Sequence, residues 1–390
     1  MVHTVSGSVW GDTTRLEAEL TIGTLDGPEE EIFGTISAIA VNRAGDIYVL
    51  DRQVPVVRKF GRNGAYLGQV GRGGGGPGEY RRPASLVIHP DGRLLLRDEG
   101  NGRINVYGPD DSYVTAWRLP SGSSFSTSTP MYVDTAGNTY TPILLQSGVD
   151  VTQWRGGLAR FTPAGEHSDT IAIPTWDFEP WRVVARREEE GGGISSSASS
   201  VPFGPSLSST MSPLGYLVGG VSTDYRIDLL RHGEPVLRIE RDWTPVPVLA
   251  AEKEERERRI VENFRRMVPG WKWNGPPIPE IKPPFGSITV DEDGRLWVSV
   301  RQPGYPYRTE QEAREEEERT GRPQMRYRER AVFDVFDAEG RFLGPVTVPE
   351  DFQTRPVPVA RGDTVWAVTR DELGVPRVVR YRMVRGKGSG

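Results

Sequence analysis

Short apolar runs with a period of two recur along the chain, each followed by a turn containing glycine and then a second such run. The pairing reads AVNRAGDIYVLD around Gly45, VIHPDGRLLLRD around Gly92 and YVDTAGNTYTP around Gly137. It returns as MSPLGYLVGG around Gly215, TVDEDGRLWVSV around Gly294 and PVARGDTVWAVT around Gly362. Alternation of this kind predicts strands, and the glycine supplies the positive φ that a tight hairpin demands.

A second hairpin follows the pairing, as in VVRKFGRNGAYLGQV, RINVYGPDDSYVTAW, LARFTPAGEHSDTIAI, IDLLRHGEPVLRI and FDVFDAEGRFLGPV. Each repeat is then a four-stranded antiparallel meander, and six repeats arranged radially predict a β-propeller. The sixth copy stops after its third strand, PRVVRYRM (376–383), while a spare strand, LEAELTIG (16–23), precedes the first copy. An N-terminal strand completing the last blade closes the ring and covers an open edge. The fold class read from the chain is therefore all-β, a six-bladed β-propeller of four-stranded antiparallel blades with helical inserts on one face. A tail over 1–15, a single propeller over 16–385 and a linker-like tail over 386–390 make up the expected organisation.

The stretch IYVLDRQVPVVRKFGRNGAYLGQVGRGGGGPGEYRRP resembles the NHL-repeat type of bacterial six-bladed propeller. The markers are the G-x-I-Y-V-x-D strand, the V-x-K-F strand after it, and GPGEY-x-x-P leading into the next blade. PEIKPPFGSITVDEDGRLWV is similar to the fifth blade of envelope propellers of that kind. In the fourth repeat Pro213-Leu214-Gly215 replaces the usual acidic turn. The resemblance implies the fold and an exported location far more than an activity. The expected location is periplasmic or secreted, with a leader taken to have been removed.

Strand direction places all the long connections on one face: 71–84, 174–206, 244–284 and 301–330. Loops of such length inside a compact domain are usually functional or disordered, and their collection on one face points to function. Two inserts read as helical. Over about 249–268, Glu254–Arg258, Glu255–Arg259 and Glu262–Arg266 stand at i, i+4, with an apolar stripe through Ile260 and Phe264. Within the charged insert 301–330, TEQEAREEEER (309–319) has a Thr cap and reads as a solvated helix.

Composition narrows the chemistry. With no cysteine there is no thiol nucleophile, iron–sulfur cluster or Cys-ligated zinc. The net charge of −5 gives no support for nucleic-acid binding. No stretch approaches the roughly 20 consecutive apolar residues of a membrane span. Of the 4 histidines, His89, His167 and His232 fall in short turns opposite the long loops, and His3 falls in the tail. A His metal site or a Ser-His-Asp triad on the loop-rich face is therefore not expected. Asp51 and Asp98, at the ends of strands, read as turn caps. No metal and no cofactor are expected.

What remains on that face is aromatic and basic: Tyr80 and Arg82, Trp271, Trp273 and Lys282, and Arg301, Tyr305 and Tyr307 in RQPGYPYR. Such residues suit interfaces because they bury area while keeping a polar handle. The reading is a monomeric, non-enzymatic binding or scaffold propeller for a protein, peptide or glycan partner. The alternative is a hydrolase or lyase at the channel mouth under the 244–284 and 301–330 loops, working without His or Cys, with a carboxylate such as Glu280 as base.

Overall fold

The computed structural model describes residues 1–11, 14–123, 130–146, 154–189 and 191–386; the expected terminal linker lies outside the described residues from 387 onward. Its architecture is all-β, with two α-helices, α1 (Ala250–Met267) and α2 (Glu310–Thr320), among the described residues.

The glycine turns do what alternation asks of them. Gly45 sits at φ 90 in a turn closed by Gly45 N–H donating to Asn42 O (3.1 Å), and Asp46 N–H donating to Asn42 Oδ1 (2.9 Å). The flanking strands Ile36–Val41 and Ile47–Asp51 are joined by Val56–Phe60 and Tyr66–Val70 in a four-stranded sheet in chain order. A second such sheet runs from Pro83–Ile88 to Tyr113–Arg118, and a third from Tyr132–Val133 to His167–Ala172. The fourth runs from Leu207–Met211 to Glu234–Arg241 and gains Val2–Thr4 as a parallel fifth strand. The remaining repeats share one nine-stranded sheet. Its first half spans Phe285–Val290 to Phe342–Thr347, and its second half includes Thr364–Arg370, Pro376–Val384 and Thr14–Ile22.

Successive side chains of a strand leave on opposite sides, so each sheet feeds two cores. Leu94 and Leu96 pack with Tyr48 and Leu50 of the first sheet, while Leu95 packs with Phe161 of the third. Tyr140 and Leu158 then meet Met211 and Leu217, and Val218 and Ile227 meet Phe285 and Leu296. Trp297 and Val335 meet Val365 and Tyr381, and finally Trp366 and Val378 meet Ile39 and Val41 of the first sheet. The succession of cores returns to its start.

Two segments differ from expectation. The first residues are strapped down rather than free: Asp242 N–H donates to Thr4 O (3.1 Å), Trp10 N–H donates to Leu343 O (2.7 Å), and His3 Nε2 lies 2.9 Å from Asp242 Oδ1. The serine-rich stretch is not plain loop. Arg182–Glu188 pairs antiparallel with Ile194–Ser200, because Val183 and Ala185 are drawn into a core with Phe264 of α1 and Trp271.

Candidate functional site

The inserts 244–284 and 301–330 meet over the ends of the fifth-repeat strands, and a buried ion cluster joins them. Lys282 is fully buried, with its Nζ 2.8 Å from Glu252 Oε1 of α1, 3.1 Å from Gln302 O and 3.2 Å from Glu329 Oε1. Phe203 lies beneath the ammonium, with its ring centroid at 4.9 Å. Glu252 Oε2 also accepts from Leu249 N–H (3.2 Å) and caps the helix. Gly304 permits this approach, since a Cβ there would lie 2.2 Å from Glu252 Oε1. Glu329 Oε2 accepts from Gln302 N–H (3.0 Å), and Arg301 Nη1 lies 3.5 Å from Oε1. Lys282 is therefore a pin between inserts and presents no atom to a partner.

Two further candidates lie inside. Tyr80 is fully buried; its hydroxyl donates to Val70 O (3.0 Å) and accepts from Val57 N–H (3.1 Å). Burial pushes that phenol's pKa up. Trp271 is buried edge-on against Phe264, with centroids 4.8 Å apart, and its Nε1–H donates to Val184 O (3.0 Å). Trp273 is half-buried, with Nε1–H donating to Pro276 O (2.9 Å). Each indole ties down its own loop.

The surface part of the group is a hairpin. Tyr305–Pro306 pairs with Tyr327–Arg328, and α2 lies between them in sequence. Arg328 sits over Tyr307 (4.8 Å to the centroid) and Tyr305 (5.5 Å), while Arg330 covers Tyr305 (5.6 Å) and Arg308 covers Tyr307 (5.2 Å). Arg328 Nε–H donates to Tyr305 Oη (2.7 Å), and its Nη2–H donates to Glu350 Oε2 (2.7 Å). Arg330 is exposed and has no carboxylate within ion-pair distance among the described residues. Arg328, Arg330 and Glu350 escaped the sequence reading, although the YRER run (327–330) carries a period-two alternation. The acidic helix α2 is capped by Thr309, and Arg258 Nη2 lies 3.0 Å from Glu317 Oε2, which ties α2 to α1. Arg82 is exposed at the second sheet and stands apart from this hairpin. Glu280, the candidate base, is 80% exposed and paired with Lys253 at 2.5 Å.

A family model described as a 6-bladed beta-propeller (DUF5128) matches residues 21–140. Among solved structures, a member of the DUF4221 family from Bacteroides vulgatus is similar at 9% identity and TM-score 0.52, over 96% of this chain and 99% of that one. The chain folds as a β-propeller. Gluconolactonase from Xanthomonas campestris is similar at 12% identity and TM-score 0.43, over 94% of this chain and 99% of that one. Virginiamycin B lyase from Staphylococcus aureus is similar at 12% identity and TM-score 0.43, over 95% of this chain and 100% of that one. Identities this low speak for fold only, and the two enzymes carry no inference about activity. The search of curated proteins finds no match.

At the strand ends of the propeller's second repeat, Arg97 and Glu99 are fully buried side chains 3.1 Å apart. Arg97 Nη2–H donates to Ser123 O, but Nε and Nη1 of Arg97 and both oxygens of Glu99 have no hydrogen-bond partner among the described residues. Burial pushes the Glu99 carboxyl up, against the pull of Arg97, Arg82 and Arg52. Neighbouring Asp98 instead accepts backbone N–H bonds from Arg81 (3.1 Å), Arg82 (3.0 Å) and Gly100 (3.2 Å). Asp51 does likewise for Gly34 (2.7 Å), Thr35 (3.0 Å) and Gln53 (2.9 Å), so both aspartates organise backbone. Among the described residues no group of three or more His, Asp or Glu stands ready to hold a metal ion.

Proposed function

We propose that the chain is a closed six-bladed propeller of four-stranded blades, of the NHL-repeat kind, and that it serves as a binding module. The circular succession of cores supports six blades, as do Arg361 Nη2–H donating to Val41 O (2.9 Å) and Nη1–H donating to Asn42 O (3.0 Å), which link the sixth repeat to the first. On this reading the nine-stranded sheet is two blades joined at their rims by the short parallel pairing of Thr14–Arg15 with Val346–Thr347.

The Tyr–Arg stack on the 305–328 hairpin is the observation that carries the binding role. Arg330, held over the Tyr305 ring and with no carboxylate within ion-pair distance among the described residues, is pre-oriented with its N–H groups uncommitted to an acid, which suits carboxylate-bearing peptide or glycan partners. Export, in keeping with a chain free of cysteine, and a monomeric state belong to the same proposal. The test is capture on acidic peptide and acidic glycan arrays by the intact chain and by Tyr307→Ala/Arg330→Ala. We expect capture to weaken ~10-fold or more with little change in melting temperature. Unchanged capture would refute the role of the hairpin, and a large melting loss would make the pair structural.

One observation favours the hydrolase or lyase reading: the buried Glu99, whose carboxyl is pushed up by burial despite Arg97 beside it and whose oxygens have no hydrogen-bond partner among the described residues, suits a general acid. Glu99→Gln distinguishes the two, since it leaves capture by the hairpin intact and removes any turnover.

A further inference from the structure

The connection between the third and fourth repeats contains a turn in which one residue, Trp176, does not suit the shape. Phe178 N–H donates to Thr175 O (3.1 Å), and Trp176 and Asp177 between them adopt φ 51 and 52. Two successive left-handed residues are the pattern of a type I′ turn, which favours Asn-Gly. A bulky tryptophan there is an outlier. The turn aims the indole at the strand Leu217–Val221, where a Cβ on Gly219 would stand 2.7 Å from Trp176 Cη2. Trp176 Nε1–H donates to Asp228 Oδ2 (3.2 Å), and Asp228 Oδ1 accepts from Arg238 Nε–H (2.7 Å). Local preference is thus broken at Trp176, in the turn, and at Gly219, in the strand that receives its ring, and outliers of this kind cluster at functional sites.

Beside the indole lies a cavity of about 130 Å³, lined by Trp176, Asp177, Phe178, Thr223, Arg226 and Asp228 among others. It is well below the ~300–1,000 Å³ of sites for drug-sized ligands, so it suits one small molecule. Asp228 is already engaged. Asp177 and Arg226 are exposed, and their side chains make no hydrogen bond or ion pair among the described residues. One small cavity therefore offers a free carboxylate, a free guanidinium and aromatic walls.

We propose that this cavity binds a small zwitterion, a free α-amino acid, with its ammonium on Asp177 and its carboxylate on Arg226. The aromatic walls add cation–π attraction for the ammonium. A neutral sugar ring could hydrogen-bond to both groups but would gain no ion pair with either. The site is separate from the 305–328 hairpin and does not depend on it.

Isothermal titration of the intact chain with L-alanine tests this, with propionate, ethylamine and D-glucose as controls. We expect saturable binding of L-alanine, with each control at least ~10-fold weaker because a charge-assisted contact is lost. Asp177→Asn and Arg226→Gln, both at exposed positions, should each weaken L-alanine ~10-fold or more without moving the melting temperature. The proposal is overturned if L-alanine gives no saturable heat at millimolar concentration, if glucose binds as well, or if either variant binds L-alanine like the parent.

Discussion

The ammonium of Lys282 and the carboxylate of Glu252 stand 2.8 Å apart with almost no exposure of either side chain. Breaking such a buried pair from one side leaves an uncompensated charge. Lys282→Met is expected to cost about 3–5 kcal/mol in denaturant unfolding. Lys282→Met combined with Glu252→Gln should be the more stable of the two variants, because the glutamine removes the stranded charge and keeps an acceptor for Leu249 N–H. A double variant no better than the single one would mean that Glu329 carries the pairing.

Tyr80 provides a control for the binding face. Tyr80→Phe strands the Val57 N–H and frees Val70 O, at a cost of about 1–3 kcal/mol in stability. Partner capture on the arrays should not change, since the ring never reaches the surface.

Asp291 sits in a turn opposite the long loops, where burial raises its carboxyl to about 6 from 3.8. Trp297 Nε1–H donates to Oδ2 (3.0 Å), and backbone N–H groups of Arg295 and Asp293 donate to Oδ1 (2.8 and 3.0 Å). The folded state holds the proton longer than the unfolded chain does. This residue's contribution to stability is therefore greatest below pH 3.8 and is lost as pH rises towards about 6. An NMR titration should show the Asp291 carboxyl carbon and the Trp297 indole N–H moving together with a midpoint near 6. A midpoint near 3.8 would show that the hydrogen bonds fully offset burial.

The N-terminal strap should be separable from the strand that follows it. Residues 1–11 add Val2–Thr4 to the fourth sheet and lodge Trp10 near Arg385 (5.0 Å) and Arg295 (5.9 Å). Their removal is expected to cost about 1–3 kcal/mol while leaving one cooperative transition. Removing residues 1–22 takes out the partner of Pro376–Val384 and should abolish that transition in calorimetry.

Much of this architecture could be read from the chain, because glycine turns and period-two runs are local signals. Leu16 pairing with Met383 follows from the spare strand at one end and the missing one at the other. The Ile194–Ser200 strand was hidden because serine gives no apolar alternation; its order comes from pairing with Arg182–Glu188, which is itself seated beneath α1. Lys282 looked like a surface cation because lysine usually is one. Its burial depends on Glu252 and Glu329, far away in sequence. Tyr305 and Tyr307 stood out beside their Gly-Pro neighbours. The arginines stacked on them come from across the hairpin, and only the fold brings them there.

Closure by the first long strand also sets a timetable. Ile22 pairs with Val378, a residue synthesised about 350 positions later. At the ~5–20 residues per second of translation, the strand waits roughly 18–70 s for its mate. Throughout that interval Leu16, buried once the strand is paired, lacks the late residues Val379, Tyr381 and Met383 that share its core. The nascent protein thus has a defined window of aggregation risk at an unpaired strand edge, and a chaperone that shields residues 14–22 is expected to raise the folded yield.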